Sequence, residues 1–234
     1  MARKIPLLLL PGLLCDGALW RAQIAGLADV AEAAVADLTR DETMTALARR
    51  ALAEAPPGRF ALAGLSMGGY CALEIVRQAP ERVERLALLD TSARGETPEA
   101  SARRRGLIEL AEKGEFKGVT PRLLPLFLHP DRLKDAKLVA DVAAMAARVG
   151  KDAFIRQQKA IMSRSDSLAT LANIRCPTLV LCGRQDALTP LALSEEIAAG
   201  IPGSRLDVVE NCGHLSTMER PEAVTAELRQ WLTG

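Results

Sequence analysis

A serine between glycines is the first residue of this sequence whose setting suggests catalysis. Residues 64–69 read Gly-Leu-Ser-Met-Gly-Gly and contain the pattern G-x-S-x-G around Ser66. An apolar run at 60–65 precedes the pattern, and a helical pattern at 70–78 follows it. This order predicts a tight strand-to-helix turn that presents the Ser66 hydroxyl at a helix N-terminus. Glycine is expected on both sides because a side chain there would collide with neighbouring backbone.

A serine hydroxyl is a weak nucleophile until a base removes its proton, and the chain has only two histidines. His214 follows the sixth predicted strand, in the segment Gly-His-Leu. Loops that follow parallel strands meet at one edge of the sheet, where Ser66 is also expected. His214 is therefore the predicted base, and His129 is the alternative.

The base needs a carboxylate that holds its tautomer and stabilises its charged form. Asp186 follows the fifth predicted strand in the segment Gly-Arg-Gln-Asp and is the predicted acid. Asp90 follows the fourth predicted strand and is the competing candidate.

Strands and helices must alternate to bring these loops together. Six apolar runs predict strands, at residues 5–10, 30–38, 60–65, 83–89, 178–182 and 206–209. Helical periodicity appears between and after them, at residues 20–27, 41–55, 70–78, 191–199 and 222–232. Alternation of this kind predicts an α/β fold with a parallel sheet.

Residues 94–171 interrupt the alternation. They contain no convincing strand pattern and three helical ones, at 102–113, 133–148 and 153–162. We interpret them as a helical lid inserted into a core formed by residues 1–93 and 172–234. The stretch from Arg94 to Thr170 has 15 Lys and Arg against 10 Asp and Glu. This excess suits an anionic substrate beneath the lid, or simply solvated helix faces.

The three motifs around Ser66, Asp186 and His214 resemble those of the α/β-hydrolase superfamily. The resemblance is to its small lidded branch, which includes esterases, enol-lactonases, cofactor-free haloperoxidases and carbon–carbon bond hydrolases. It covers residues 5–93 and 172–234. It implies a mostly parallel six-stranded sheet with helices on both faces, and an acyl-enzyme formed on Ser66. It also implies that no metal or organic cofactor is required.

By the same resemblance, the second donor of an oxyanion hole would come from the loop after the first strand. That loop reads Pro-Gly-Leu-Leu here, where the family often has His-Gly. We assign the donors to the backbone N–H groups of Leu13 and Met67, with Leu14 as the alternative in the loop. The candidates for contact with the substrate are Leu14, Phe127, His129 and Met145. Cys15 and Cys212 are expected to line the pocket.

Composition argues against several other classes of protein. A formal charge of +1 and 3% aromatic residues do not favour nucleic-acid binding. No stretch approaches the roughly 20 apolar residues of a membrane span. The apolar N-terminal run contains two prolines and is interpreted as a strand rather than a signal peptide. Five cysteines without a CxxC pattern indicate free thiols and a cytoplasmic location.

The expected function is hydrolysis of a small carboxylic ester or lactone by a monomer or homodimer. Carbon–carbon bond hydrolysis or a related lyase reaction would use the same three residues. Perhydrolysis and a non-catalytic role as a small-ligand sensor are the remaining alternatives.

Overall fold

The sheet of this protein has six strands, all parallel. The computed structural model describes residues 4–234. The strands are β1 (Ile5–Leu10), β2 (Ala31–Val35), β3 (Phe60–Leu65), β4 (Val83–Leu89), β5 (Thr178–Gly183) and β6 (Arg205–Val209). They lie in the order β2-β1-β3-β4-β5-β6. The predicted six-stranded sheet is thus confirmed, and it is parallel throughout.

The helices of the alternating core flank this sheet. Before the insertion they are α1 (Arg21–Gly26), α2 (Met44–Glu54) and α3 (Met67–Gln78). The insertion, residues 94–171, lies between β4 and β5. Its α-helices are α4 (Pro98–Leu110), α5 (Leu124–Phe127), α6 (Ala136–Met162) and α7 (Leu168–Leu171). After β5 come α8 (Leu191–Gly200), α9 (Ser216–Glu219) and α10 (Pro221–Thr233).

Helix boundaries differ from the periodicity where capping side chains set them. The α2 helix begins at Met44 rather than at 41, because the Thr43 side chain accepts a hydrogen bond from Ala46 N. In the same way Thr97 caps α4, which begins at Pro98, ahead of the predicted 102. The α6 helix is interrupted at Gly150, whose φ of 75° and ψ of 176° are not helical. The two helices predicted for this stretch, 133–148 and 153–162, therefore meet near Gly150.

The sheet separates two apolar cores. Alternate residues of β1 point to opposite faces, as the pleat requires. Leu8 and Leu10 pack with residues of α2, α3 and α8, whereas Leu7 and Leu9 pack with residues of α1 and α10. Both faces are covered, which explains why these strands are apolar runs without alternation.

The order of the strands leaves a crevice at the C-terminal edge of the sheet. β1 lies between β2 and β3, so the chain leaves β1 towards one side and β3 towards the other. Ligand sites of open α/β sheets form at such a switch point. Leu10 is in register with Gly64, which brings the loop after β1 beside the turn that carries Ser66.

The turn after β3 is strained in the way the motif predicts. Ser66 has φ 56° and ψ −115°, a backbone conformation that residues other than glycine rarely adopt. Its N–H donates to Leu89 O at 3.0 Å, and its carbonyl accepts from the Thr91 hydroxyl at 2.8 Å. A Cβ at Gly64 would overlap the carbonyl of Gly68. The close approach of strand and helix therefore requires glycine here.

We predict that Gly68→Ala lowers the free energy of unfolding by about 3 kcal/mol. Its Cβ would overlap the backbone carbonyl of Leu10, which cannot move without disturbing β1. Gly106→Ala is the matched control, since Gly106 lies inside α4 and a Cβ there would meet no atom within 4 Å. That change should raise stability by about 0.5–1 kcal/mol through helix propensity. Urea unfolding of both variants measures the difference; an unchanged midpoint for Gly68→Ala would contradict the steric argument.

Candidate active site

The three residues predicted to form a triad lie in loops at one edge of the sheet. Ser66 follows β3, Asp186 follows β5 and His214 follows β6. Nδ1 of His214 lies 2.8 Å from Oδ2 of Asp186, and both side chains are buried. Ser66 and His214 line the same cavity, which has a volume of about 430 Å³.

The surroundings of Asp186 keep its carboxylate ionised. Oδ1 accepts from the N–H groups of Leu188 (2.8 Å) and Thr189 (2.9 Å), and Oδ2 accepts from the Thr189 hydroxyl (2.7 Å). Burial alone would raise the pKa of Asp186, but the charge of His214 and these hydrogen bonds lower it below its usual value. Asp186 is therefore an acceptor at neutral pH.

An acceptor at Asp186 determines the tautomer of His214. Nδ1 must carry the proton that is donated to the carboxylate, which leaves the lone pair on Nε2. Burial by itself lowers the pKa of the imidazole, but the acidic groups around it, Asp186 foremost and then Asp90 and Glu219, together raise it by more, so the net direction is upward. The arrangement suits a group that accepts a proton and is stabilised once charged.

The predicted contact between Ser66 and His214 is not formed as a hydrogen bond. Between the described residues 4 and 234, no hydrogen bond joins the Ser66 hydroxyl to the imidazole of His214. The two groups share the wall of one cavity instead. Contacts between nucleophile and base are often longer in ligand-free sites and tighten when substrate binds.

The helical insertion holds the loop that carries His214. The carbonyl of Phe127 accepts hydrogen bonds from the N–H groups of His214 (3.0 Å) and Leu215 (3.2 Å). Nearby, the buried Glu219 carboxylate accepts from His129 N at 2.7 Å and from Gly213 N at 3.0 Å. Glu219 thus joins the insertion to the loop that carries His214. This role was not predicted from the sequence, because no local motif around Glu219 signals it.

Asp90, the competing acid, joins the loops that carry Asp186 and His214 rather than forming a hydrogen bond with the imidazole. Its Oδ1 accepts from Gly183 N at 2.9 Å, ahead of Asp186, and its Oδ2 accepts from the Ser216 hydroxyl, just after His214. Burial, followed by the charge of Asp186, raises the pKa of Asp90 to about 8. A carboxyl group that is mostly neutral stabilises an imidazolium poorly, so the geometry and charge both favour Asp186.

Hydrogen bonds in the loop after β1 distinguish Leu13 from Leu14, the two candidates for the oxyanion donor in that loop. The N–H of Leu14 donates to Oε1 of Gln157 at 3.0 Å, and Nε2 of Gln157 donates to Leu38 O at 3.1 Å. The N–H of Leu13 has no acceptor among residues 4–234. Met67 begins α3, where the first N–H groups of a helix have no intrahelical acceptor. Leu13 and Met67 are thus the uncommitted donors, and Leu14 is not.

The residues predicted to contact substrate divide into two groups. Leu14 and Phe127 line the cavity. His129 and Met145 lie outside its walls, contrary to the prediction. Nδ1 of His129 accepts from Asp131 N at 3.2 Å and caps the turn that follows, so His129 is also not placed to serve as the base. Met145 is 1% exposed and belongs to the core beneath the insertion.

The cysteines near the site are not activated as nucleophiles. Cys15 lines the cavity, and burial raises the pKa of its thiol to about 12. Cys212 is buried outside the cavity wall, contrary to the prediction that it lines the pocket, and burial raises the pKa of its thiol as well. Both thiols therefore stay protonated at neutral pH.

Among residues 4–234 one cluster of side chains has the composition of a metal site. Asp90, Cys182 and Asp186 bring ligand atoms within 4.8 Å of one another. Both carboxyl groups already accept hydrogen bonds from the protein, and burial raises the pKa of the Cys182 thiol. These three groups therefore act as hydrogen-bonding partners within the loops around Asp186 and His214 rather than as open ligands.

The cavity wall is mainly apolar. Side chains from the insertion form much of it, and five leucines at its surface are also solvent-exposed: Leu107, Leu110, Leu123, Leu126 and Leu188. The polar groups include Tyr70, Arg104 and Gln158. A few polar groups in an apolar cavity of this size are typical of a small-molecule site.

Across residues 4–234, none of the helices combines the length and the apolar character that a bilayer crossing requires.

Comparison with known proteins agrees with the fold and the motifs. Residues 7–228 match the family model described as the alpha/beta hydrolase family. A pimeloyl-[acyl-carrier protein] methyl ester esterase from Nitrosomonas europaea is 27% identical over 180 residues, which are 73% of this chain and 70% of that protein. RutD from Shigella flexneri, provisionally named a carbamate hydrolase, is 27% identical over 198 residues, 82% of this chain and 72% of that protein.

Solved structures give the same result. A thermophilic esterase from Thermogutta terrifontis, solved with malate bound, superposes with a TM-score of 0.89 at 30% identity. The match covers 99% of this chain and 90% of the esterase chain. The enol-lactonase from Burkholderia xenovorans LB400 has a TM-score of 0.87 at 24% identity. The match covers 99% of this chain and 93% of the lactonase chain. The second likeness concerns the fold alone. The chain is an enzyme that belongs to the alpha/beta hydrolase family.

Proposed function

We propose that this enzyme hydrolyses small carboxylic esters or lactones through an acyl-enzyme on Ser66. One observation carries the proposal: a serine on a strained strand-to-helix turn shares a cavity with an imidazole whose other nitrogen is bound to a buried carboxylate. This combination provides a nucleophile, a base and a group that orients the base.

The reaction follows from these roles. Ser66 Oγ attacks the carbonyl carbon while Nε2 of His214 removes the hydroxyl proton. The imidazolium, stabilised by Asp186, then protonates the departing alkoxide as the acyl–oxygen bond breaks. Water attacks the acyl-enzyme and gives its proton to His214. The carboxylic acid leaves and Ser66 regains its proton.

The backbone around the site supports stabilisation of the oxyanion. The uncommitted N–H groups of Leu13 and Met67 are the proposed donors. Each such donor lowers the barrier by about 3 kcal/mol when it is aimed at the developing charge. Because the dipole of α3 also points its positive end at this position, negative charge is favoured there.

We further propose that residues 94–171 act as a lid. Segments of this insertion form much of the cavity wall, and Phe127 O binds the loop of the base. An apolar cover would exclude water that is not required for deacylation. The exposed leucines around the cavity suit the hydrocarbon part of an ester.

Ser66→Ala tests the proposed nucleophile. We expect kcat for p-nitrophenyl esters of graded chain length, and for simple lactones, to fall by about 10⁴- to 10⁶-fold, since no other group in the site can form the acyl-enzyme. Steady-state kinetics measures the loss.

Ser194→Ala is the control for this change. Ser194 is a buried serine of α8 and lies outside the cavity wall. It should keep wild-type turnover and covalent labelling by a fluorophosphonate, whereas Ser66→Ala should lose both. Turnover retained by Ser66→Ala would refute the mechanism, and a wild-type protein that is neither labelled nor active would identify an inert site.

Asp186→Asn tests the base and its partner through the pH profile. His214 acts as a base only when neutral, so kcat/KM should rise with pH through its pKa, with a midpoint above the usual 6.5. Without the carboxylate, burial still lowers the pKa of His214, and the midpoint should move below that of the wild type. The plateau should also fall by about 10⁴-fold because the tautomer is no longer held.

The profile of p-nitrophenyl acetate hydrolysis from mildly acidic to mildly alkaline pH provides the measurement. Asp131→Asn is the control, because it removes an exposed carboxylate beside the other histidine, His129. Its profile should match the wild type. An acid limb that stays in place in Asp186→Asn would contradict the assignment of His214 and Asp186.

Gln157→Leu tests the support of the loop after β1. The change leaves Leu14 N–H and Leu38 O without partners, at about 1–3 kcal/mol for each buried group. We expect lower stability and a kcat that falls by about tenfold or more with little change in KM, because the Leu13 donor shifts. Thermal unfolding and kinetics are compared with Gln230→Leu, an exposed glutamine on α10. Wild-type kcat in Gln157→Leu would show that this loop is held by other contacts.

A further inference from the structure

Three polar side chains on the cavity wall offer hydrogen-bond donors that the protein does not use. They are Tyr70 on α3, Arg104 on α4 and Gln158 on α6, and we call them the donor wall. Among residues 4–234, the Tyr70 hydroxyl, Nη2 of Arg104 and Nε2 of Gln158 each lack a hydrogen-bond partner. Gln158 is only 1% exposed, so its free amide group is not solvated as a surface glutamine would be.

The orientation of the Gln158 amide follows from its neighbour. Nη1 of Arg104 lies 2.6 Å from Oε1 of Gln158. A guanidinium has only donors, so the amide oxygen must face it and the amide nitrogen must face away. The glutamine therefore adds a donor, and no acceptor, to the free groups of the wall.

The donor wall is backed by a positive charge that is only partly neutralised. The buried Glu96 carboxylate pairs with two guanidiniums, those of Arg104 (2.8 Å) and Arg164. Arg164 also lies over the ring of Tyr70, with 4.4 Å from Cζ to the ring centroid. Two cations and one anion leave one net positive charge in a region shielded from water. Burial lowers the pKa of both guanidiniums.

The other charged groups on the cavity wall do not cancel this excess. Glu115 and Lys117 carry opposite charges, and both are exposed at the surface of the insertion. Their charges are screened by solvent and largely offset each other. The net positive charge at the cavity wall therefore lies at the donor wall.

The donor wall also lies near the proposed nucleophile. Tyr70 lies in the first turn of α3, its N–H donates to Ser66 O at 3.2 Å, and both residues line the cavity. A ligand in this cavity would reach both with only a few bonds between its carbonyl carbon and its anionic group.

We propose that Tyr70, Arg104 and Gln158 bind a free carboxylate of the substrate, which makes the preferred substrates esters or lactones that also carry a carboxylate. A carboxylate has one charge and two acceptor oxygens, which match one net positive charge and a set of free donors. The apolar remainder of the cavity holds the hydrocarbon segment between the two functional groups. This inference rests on the proposed ester hydrolysis at Ser66 and specifies its substrate class.

The kinetic test compares esters that differ only in the second carboxyl group. Monomethyl glutarate and monomethyl adipate are each measured against the corresponding dimethyl ester near neutral pH, by methanol release. We expect kcat/KM to favour the monomethyl esters by about tenfold or more, as charge-assisted hydrogen bonds predict. A preference for the dimethyl esters would overturn the proposal and leave ester hydrolysis intact.

Variants of the donor wall test which residues cause the preference for monomethyl over dimethyl esters. Arg104→Gln should reduce the monomethyl-to-dimethyl ratio by about tenfold or more. Gln158→Glu keeps an acceptor for Arg104 but replaces the free donor with an anionic oxygen, so the ratio should fall further. Tyr70→Phe keeps the ring beneath Arg164 and should reduce the ratio by a few-fold. Ratios that stay at the wild-type value in all three would overturn the proposal.

Arg103→Gln is the matched control. It removes the same charge from the preceding position of α4, where the side chain is exposed and lies outside the cavity wall. The ratio should stay within about twofold of the wild type. A fall equal to that of Arg104→Gln would show a general effect of charge on the insertion instead of a binding site.

A binding measurement separates this proposal from the proposed reaction. Titration calorimetry of glutarate into Ser66→Ala should detect binding that is weakened about tenfold or more by adding Arg104→Gln or Gln158→Glu. Binding with this pattern supports the donor wall even if Ser66→Ala retains turnover, a result that would refute the nucleophile alone. Absence of glutarate binding to Ser66→Ala, or equal affinity in all variants, would overturn the carboxylate site.

Discussion

The hydrogen bond between the Asp186 carboxylate and the His214 imidazole is the interaction on which the site depends. It joins two buried groups from different loops, at 2.8 Å. A buried carboxylate is tolerated only when donors surround it, and Asp186 receives them from Thr189, Leu188 and the imidazole. The bond therefore sets the charge of the acid, the tautomer of His214 and the relative position of the loops after β5 and β6.

Groups around this pair hold it in place from several directions. Asp90 binds both loops, through Gly183 N and the Ser216 hydroxyl. The insertion contributes Phe127 O to the loop of His214. Ser66 is kept at φ 56°, a strain of about 1–3 kcal/mol that its hydrogen bonds to Leu89 of β4 and to Thr91 just after β4 offset. Hydrogen bonds from several elements thus hold the loops that carry Ser66, Asp186 and His214.

The insertion adds what the sheet lacks. The core supplies the groups proposed for bond cleavage, whereas much of the cavity wall comes from residues 94–171. Its apolar side chains and the partly buried Arg104 are proposed to contact a part of the ligand other than the scissile bond. The insertion is nevertheless tied to the loops of the sheet, because Phe127 O holds the loop of His214 and Tyr70 of α3 completes the donor wall.

Local sequence determined the strands, the turn at Ser66 and the order of the motif residues. A strand covered on both faces has to be a short apolar run, and the turn after β3 has to have glycine where backbones meet. Tertiary structure decided the rest, because those contacts join residues far apart in the chain. Leu14 is distinguished from Leu13 only by its bond to Gln157, 143 positions away. Asp90 and Asp186 are both acidic residues after strands, and only their burial and partners differ. The exclusion of His129 and Met145 from the cavity likewise depends on how the insertion packs, which no short pattern encodes.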